Sequence, residues 1–345
     1  MRKFFNLILN EYIKILGKLS TKLLLCLLFA ASLFMIAVFS THGSINESRS
    51  FTFREEAPQD AAPESWQDTL IRQIETTQTS LLQVNDEQLY LHLRDAITLN
   101  EYRLANGIEH HAFRGMEFES LNPANALPDF WRGFPLSVMT IMFLSVLIIV
   151  VAGGIVAGEH SSGTIQPLLI NPVKRWKFLL AKYIAVLTFG LVLLIPLFAA
   201  NVLFTGLFFG FGGYGVPLLT VVDGEVAHRS AMLYMASRYL LSAVGMFALA
   251  TFAFALSALT RSAALAIGLG VFLYVGGIGV VATLQDLGFY QARYILFANT
   301  QILDVIDGTT GFVHHTLRFA LLNISAYMAV FLWTAWDAFT RSDIK

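Results

Sequence analysis

Six apolar runs govern what this chain can become. They occupy residues 23–39 and about 134–157, 178–208, 233–259, 263–284 and 317–336. Each of the last five is long enough to cross a hydrocarbon core of ~30 Å as a helix rising ~1.5 Å per residue, and the first, extended by its flanks to 19–40, makes the sixth span. The residues around them agree: 56% of the 345 are hydrophobic and only 14% charged, against ~25% charged in soluble domains. The expected fold class is an all-α integral membrane protein of six transmembrane helices, and an ordinary soluble enzyme is excluded.

The chain divides on this reading into an interfacial amphipathic helix (1–18), a first span (19–40), an external helical domain (41–132), a second span (133–157), a cytoplasmic loop (158–177) and a third span (178–212). An external loop (213–230), a fourth span (231–259), a fifth (263–284), an external segment (285–316), a sixth span (317–337) and a cytoplasmic tail (338–345) complete it. Arg2, Lys3, Lys14, Lys18 and Lys22 precede the first run, and no small-x-small cleavage site follows it, so it reads as a retained signal anchor. Placing the N-terminus inside puts all eight lysines on the cytoplasmic side, as the positive-inside rule requires. Both termini are then cytoplasmic and the protein sits in a cell membrane, with a bacterial plasma membrane the expected location.

Residues 41–132 hold 15 acidic residues against seven arginines, which marks a domain. Trp66, Leu70, Ile74, Thr77, Leu81 and Val84 recur at the spacing of one helical face. Asn85 and Asp86 can cap a second helix striped by Tyr90, Leu93, Ile97 and Leu104 and stopped at Asn106-Gly107. An antiparallel helical hairpin is the simplest packing. The Gly-aromatic stretch from Gly206 to Pro217 is expected as a flexible turn with aromatics at the headgroup level, and 285–316 as a short helix pair on the membrane surface. At the N-terminus, Phe4, Phe5, Ile8, Tyr12, Ile15 and Leu16 set against Arg2, Lys3, Asn10, Lys14 and Lys18 predict a helix lying in the interface.

Charge and motif content remove several functions. The net charge is −1 and no basic run lies beyond residue 22 except the short cluster at 174–177, so nucleic acid is not an expected partner. Lys22, Lys182, Asp337, Arg238 and Arg318 fall toward the ends of spans, where side chains can snorkel, so no proton or sodium relay is expected at the midplane. No His-Glu-x-x-His or Ser/His constellation is present, and no catalytic residue, metal ligand or cofactor site is assigned. The single cysteine, Cys26, is expected to be an inert buried thiol. Gly154 with Gly158 and Gly206 with Gly210 are small-xxx-small pairs that let helices approach closely, and Gly277 to Ala282 is read as helix packing.

The most informative stretch joins the second and third runs. Glu159 closes a span, Gly163 breaks the chain, and a short apolar helix carrying Ile165, Leu168 and Leu169 stops at Asn171-Pro172. The basic cluster Lys174-Arg175-Trp176-Lys177 then opens the next span. An exposed Ile165/Leu168/Leu169 face must bury itself against headgroups or a cytoplasmic partner.

In the order and spacing of Glu159, Gly163, Thr164, Ile165, Leu168, Leu169, Pro172, Val173, Arg175 and Lys182, the chain resembles the membrane subunits of type-2 exporter-class ATP-binding-cassette (ABC) transporters. Pro167 and Lys174 depart from that family's pattern, and Pro167 fits only in the first turn of the short helix. The resemblance implies the type-2 ABC exporter fold and makes residues 158–177 the coupling-helix loop. Glu159, Gly163, Thr164, Ile165, Leu168, Leu169, Pro172 and Arg175 would then couple it to an ATPase subunit. It further implies a permease subunit that forms the pathway for ATP-driven export, with amphiphilic peptides or drugs as candidate substrates.

The chain has no Gly-x-x-x-x-Gly-Lys-[Ser/Thr] phosphate loop, so ATP and Mg are expected on separate ABC ATPase subunits and this chain is expected to be non-catalytic. A second six-span subunit and the lipid bilayer are the other implied partners. The competing expectation is a membrane sensor or scaffold whose external domain binds a ligand without transport.

Overall fold

A computed structural model describes residues 2–50, 65–82, 87–108, 129–161, 174–222, 224–307, 310, 312 and 315–341. The protein is mostly helical, and six of its helices are long and apolar enough to cross a membrane: Leu19–Thr41, Phe134–Ile155, Arg175–Phe209, Ala231–Thr260, Ala263–Asp286 and Leu317–Arg341. The expected all-α membrane class is therefore observed, with one exception described below. The helices group into two compact units. One holds residues 1–32, 139–200 and 238–345, the other residues 33–138 and 201–237.

In the first unit, helix α1 (Arg2–Gly17) leads into α2 (Leu19–Ser50), whose residues as far as Ser32 belong to this unit; Cys26 on it is exposed, which corrects the expectation of a buried thiol. Two tight helix contacts organise its core. The helix at Ile141–Ile155 packs on the helix at Ala263–Asp286 through glycines: a Cβ on Gly153 would meet Ile267, and one on Gly270 would meet Ile149. Side-chain polar links add specificity where apolar contact alone gives none. Tyr183 and Thr251 share a buried 2.9 Å hydrogen bond, and Ser257 Oγ accepts from the Ala157 amide at 2.9 Å. The small-residue pairs chosen from spacing need correction. Gly153 makes the close approach rather than Gly154, and Gly210 takes a positive φ of 86° in the turn that ends its helix.

The segment after the fifth span departs from its surface-lying expectation. It forms a 3-10 turn (Tyr290–Tyr294) and two short helices, Leu296–Thr300 and Ile302–Asp307. The helix pair is there, but it returns into the bundle. A Cβ on Gly245, near the midpoint of Ala231–Thr260, would strike the Thr300 carbonyl, and one on Gly277 would strike the Phe297 ring. The Tyr327 hydroxyl, near the midpoint of Leu317–Arg341, donates to Tyr294 O at 3.1 Å.

Irregular backbone at this depth must be satisfied inside the protein. Fully buried Asn299 does so, donating to Arg293 O and Ile295 O at 2.8 Å and pairing through Oδ1 with His315 Nε2 at 3.0 Å. Gly245→Ala should therefore destabilise the protein by about 1–3 kcal/mol through overpacking. Gly268→Ala, which adds a methyl where nothing lies within 4 Å, should be neutral. Thermal unfolding of the detergent-solubilised variants compares the two.

The second unit contains the expected helical hairpin, α3 (Trp66–Leu81) and α4 (Glu87–Asn106). Leu70 and Ile74 of the inward stripe are buried. Ser65 caps α3 through a reciprocal box with Asp68, and Gly107 ends α4 at φ 64°. The proposed capping residues Asn85 and Asp86 lie outside the described residues.

The stretch read as an external loop forms the exception to the all-α class. Strands β1 (Pro217–Val222) and β2 (Glu225–Ser230) pair antiparallel, Val222 opposite Glu225, with Gly224 directly before β2. Gly224 supplies the positive φ, 84°, that such two-residue turns demand. The hairpin rests on α4, where Tyr102 Oη lies 3.0 Å from His228 Nε2. The Gly-aromatic stretch is likewise tied down, to the short helix α5 (Asp129–Gly133): Trp131 Nε1 donates to Gly213 O at 3.0 Å, and Phe211 stacks on Phe130.

Candidate functional site

The basic amphipathic helix α1 presents two faces. Glu11 and Ile15 are buried, and Tyr12 packs edge-on against Phe189. Phe5, Leu9, Ile13 and Leu16 are exposed on the other side. A buried glutamate on an otherwise apolar inward face needs a cation beside it, since an unpaired carboxylate out of water costs several kcal/mol.

Glu11 finds two. Lys182 Nζ lies 2.8 Å from Glu11 Oε2, and Lys14 Nζ 3.2 Å from Glu11 Oε1. The same two ammoniums each stand 2.7 Å from Glu159 Oε1. Two carboxylates and two ammoniums thus alternate in a closed, electrically neutral ring. Lys182 comes from α8 (Arg175–Phe209), Glu159 from α7 (Ala157–Ser161), which follows α6 (Ile141–Ile155), and the other two from α1. Lys182 is 2% exposed at its side chain, which corrects the expectation that it snorkels to water from a span end.

The ring sets its own protonation. Burial works to raise the Glu159 pKa, but Lys182 and Lys14 outweigh it and hold the carboxyl below its ordinary 4.5. Burial pulls Lys14 down, while its hydrogen bond to Glu159 and the field of Glu11 lift it above 10.5. A depressed carboxylate contributes stability that is complete above its unfolded value and is lost as pH falls through the folded one. A raised lysine contributes below its unfolded value and loses the contribution as pH rises through the folded one. The ring should therefore hold α1 across the interval from 4.5 to 10.5 and release it beyond either end. Hydrogen-exchange protection at residues 2–17, corrected for the intrinsic fall of exchange rate with pH, should be high at neutral pH and be lost on acidification only below the ordinary glutamate range.

Of the residues assigned from sequence, Glu159 is in this ring and Arg175 is exposed as the first residue of α8. Gly163, Thr164, Ile165, Leu168, Leu169 and Pro172 lie outside the described residues. Glu159 and Lys182 flank that loop in sequence, so their contact joins its two ends. Glu11 and Lys14 were missed. The available signal was a lone glutamate inside a basic amphipathic helix, three residues before a lysine, a spacing that puts both on one face. Among the described residues, no group of three His, Cys, Asp or Glu side chains is placed to hold a metal ion. The ring offers no nucleophile; it can position α1, α7 and α8 as one body and carry displacement between them.

A second ion pair lies elsewhere in the same unit. Arg238 Nη1 and Nη2 donate to Asp307 Oδ1 and Oδ2 at 2.8 and 2.6 Å, and Arg238 is 5% exposed. This too corrects a snorkelling expectation. The fork-to-fork geometry ties the last turn of the returning segment to the fourth span.

Residues 108–345 match the family model described as "Protein of unknown function (DUF2705)". The chain is 33% identical over 341 residues to the uncharacterized protein YhcI of Bacillus subtilis (strain 168), covering 98% of this chain and 99% of that relative. It is 26% identical over 206 residues to the uncharacterized membrane protein YdbK of the same organism, covering 59% of this chain and 79% of that one.

Proposed function

We propose that this chain, which belongs to the DUF2705 family, is the permease subunit of an ABC transporter. On this reading it forms the pathway for ATP-driven export of a substrate from a cell membrane, its termini and residues 158–177 facing the cytoplasm. The observation that carries the reading is the Glu159–Lys182 contact. The glutamate and the lysine that bracket the exporter pattern meet through space and close the base of the loop between them. A docking loop must transmit force, and a loop whose two ends are bound to each other and to α1 moves as a unit. Six membrane-crossing helices and the absence of a phosphate-loop motif in the sequence are compatible with a membrane subunit that borrows its ATPase.

In this role Ile165, Leu168 and Leu169 form the docking face, with Gly163, Thr164, Pro172 and Arg175 shaping and flanking it. ATP and Mg belong to the partner. A second six-span subunit completes the pathway. The tagged chain, purified from its native membrane in mild detergent, should bring an ABC ATPase with it, and Ile165→Asp, Leu168→Asp and Leu169→Asp together should abolish that association. Recovery of the chain alone, or with a signalling protein, would favour the sensor or scaffold reading.

A further inference from the structure

Because the ring neutralises its own four charges, the cations around it stand uncompensated. Lys18, Lys22, Lys174, Arg175 and Lys177 are all exposed, and none is paired with a carboxylate among the described residues. Their placement follows from the ring. Lys18 directly follows α1, with its Nζ near Gly158, the residue before Glu159. Lys22 lies one helical turn further along. Arg175 lies two turns before Lys182 on α8, beside Lys174 and Lys177, and Lys177 sits 5.7 Å from the ring centroid of Trp176, itself 41% exposed.

Next to these cations, α1 turns Phe5, Leu9, Ile13 and Leu16 outward at 65%, 51%, 64% and 46% exposure. Such a face costs stability in water and needs an apolar cover. Apolar side chains, a tryptophan and unpaired cations at one end of a membrane bundle match the layered chemistry of a leaflet: acyl chains, then interface, then phosphate.

We propose that this end of the bundle is a recognition surface for acidic phospholipid. The outward face of α1 lies at the acyl boundary, and Lys18, Lys22, Lys174, Arg175 and Lys177 hold anionic headgroups around the neutral ring. Charge complementarity selects acidic over zwitterionic lipid. The inward ring fixes α1 so that lipid contact at its outer face bears on α7 and α8. The assignment requires only that the protein spans a membrane, and Arg175 is the one cation it shares with the transporter reading.

The test is lipid competition on the purified full-length chain in detergent, with phosphatidylglycerol and phosphatidylcholine resolved by native mass spectrometry. The wild type should favour phosphatidylglycerol, with the preference falling as salt rises from 0.1 to 0.5 M, probe conditions at which the Debye length shrinks from ~10 Å to about half that. Lys177→Gln should cut the preference about five-fold, the ratio equivalent to about 1 kcal/mol per cation near an anionic surface. Lys22→Gln and Arg175→Gln should each act similarly, and Arg341→Gln, at the far end of the sixth helix in sequence and already paired with Asp337, should not.

Equal binding of the two lipids by the wild type would overturn the proposal, and that arm needs no variant to fold. So would a salt-independent preference. Loss of ATPase copurification in the Lys177→Gln and Arg175→Gln variants with lipid preference unchanged would assign the cations to a protein partner instead.

Discussion

Lys182→Ala should be the most damaging single substitution at the ring, at about 3–5 kcal/mol, because it leaves the buried Glu11 and the partly buried Glu159 sharing one half-exposed ammonium. Lys182 is 2% exposed and Glu11 6% at their side chains. Lys14, at 39%, is screened, and Lys14→Ala should cost about 1 kcal/mol or less. The ordering of the two variants, rather than either value, is the diagnostic. Lys182→Met combined with Glu11→Leu should recover most of the loss, since a buried pair replaced by apolar groups of similar volume is often neutral. Unfolding in a graded detergent series, read by far-ultraviolet circular dichroism, would rank them. Equal losses for Lys14→Ala and Lys182→Ala would contradict the burial pattern.

Arg238→Ala should be comparably severe, again about 3–5 kcal/mol, by leaving Asp307 without its bidentate partner at 15% side-chain exposure. Its local consequence differs. Asp307 ends the returning segment, so its release should expose residues 296–307 to hydrogen exchange before the rest of the unit. Asn299 should keep residues 293–295 protected longer, because its hydrogen bonds do not run through Arg238. Arg238→Lys should restore little: one ammonium cannot reproduce two parallel bonds. Protection of 296–307 unchanged in Arg238→Ala would show that the glycine contacts at Gly245 and Gly277 hold the segment without the ion pair.

Much of the fold was legible because its signals are long. Six apolar runs map onto six helices with ends shifted by a few residues, and the Trp66 to Leu81 stripe turns Leu70 and Ile74 inward as its spacing requires. Short signals fared worse. Asp223-Gly224 between Leu218–Val222 and Val226–His228 is a strong hairpin cue, yet it sits between two spans where a loop was the simpler reading. The mixture of apolar residues with Asp286, Arg293, Asp304 and Asp307 over 285–316 points to a surface-lying segment; what draws it into the bundle is Gly245 against Thr300, Gly277 against Phe297 and Arg238 on Asp307, all contacts distant in sequence.

The site divides the same way. Glu159 and Lys182 are visible as a spaced pair in a pattern, whereas the local signal for Glu11, a lone glutamate three residues before Lys14 on a basic helix, does not say which distant cation it meets. Composition identified the neighbourhood, and only three-dimensional pairing showed that the neighbourhood is a closed ring.

The central claim is that the loop between Glu159 and Lys182 docks an ATPase. A photoreactive amino acid placed at Leu168 in the full-length chain, irradiated in intact cells and followed by mass spectrometry of the adduct, tests it most directly. The account predicts an adduct with an ABC ATPase subunit, carried by that protein's surface and weakened by Glu159→Ala. Adducts with lipid alone, or with a kinase or other signalling protein, would contradict it.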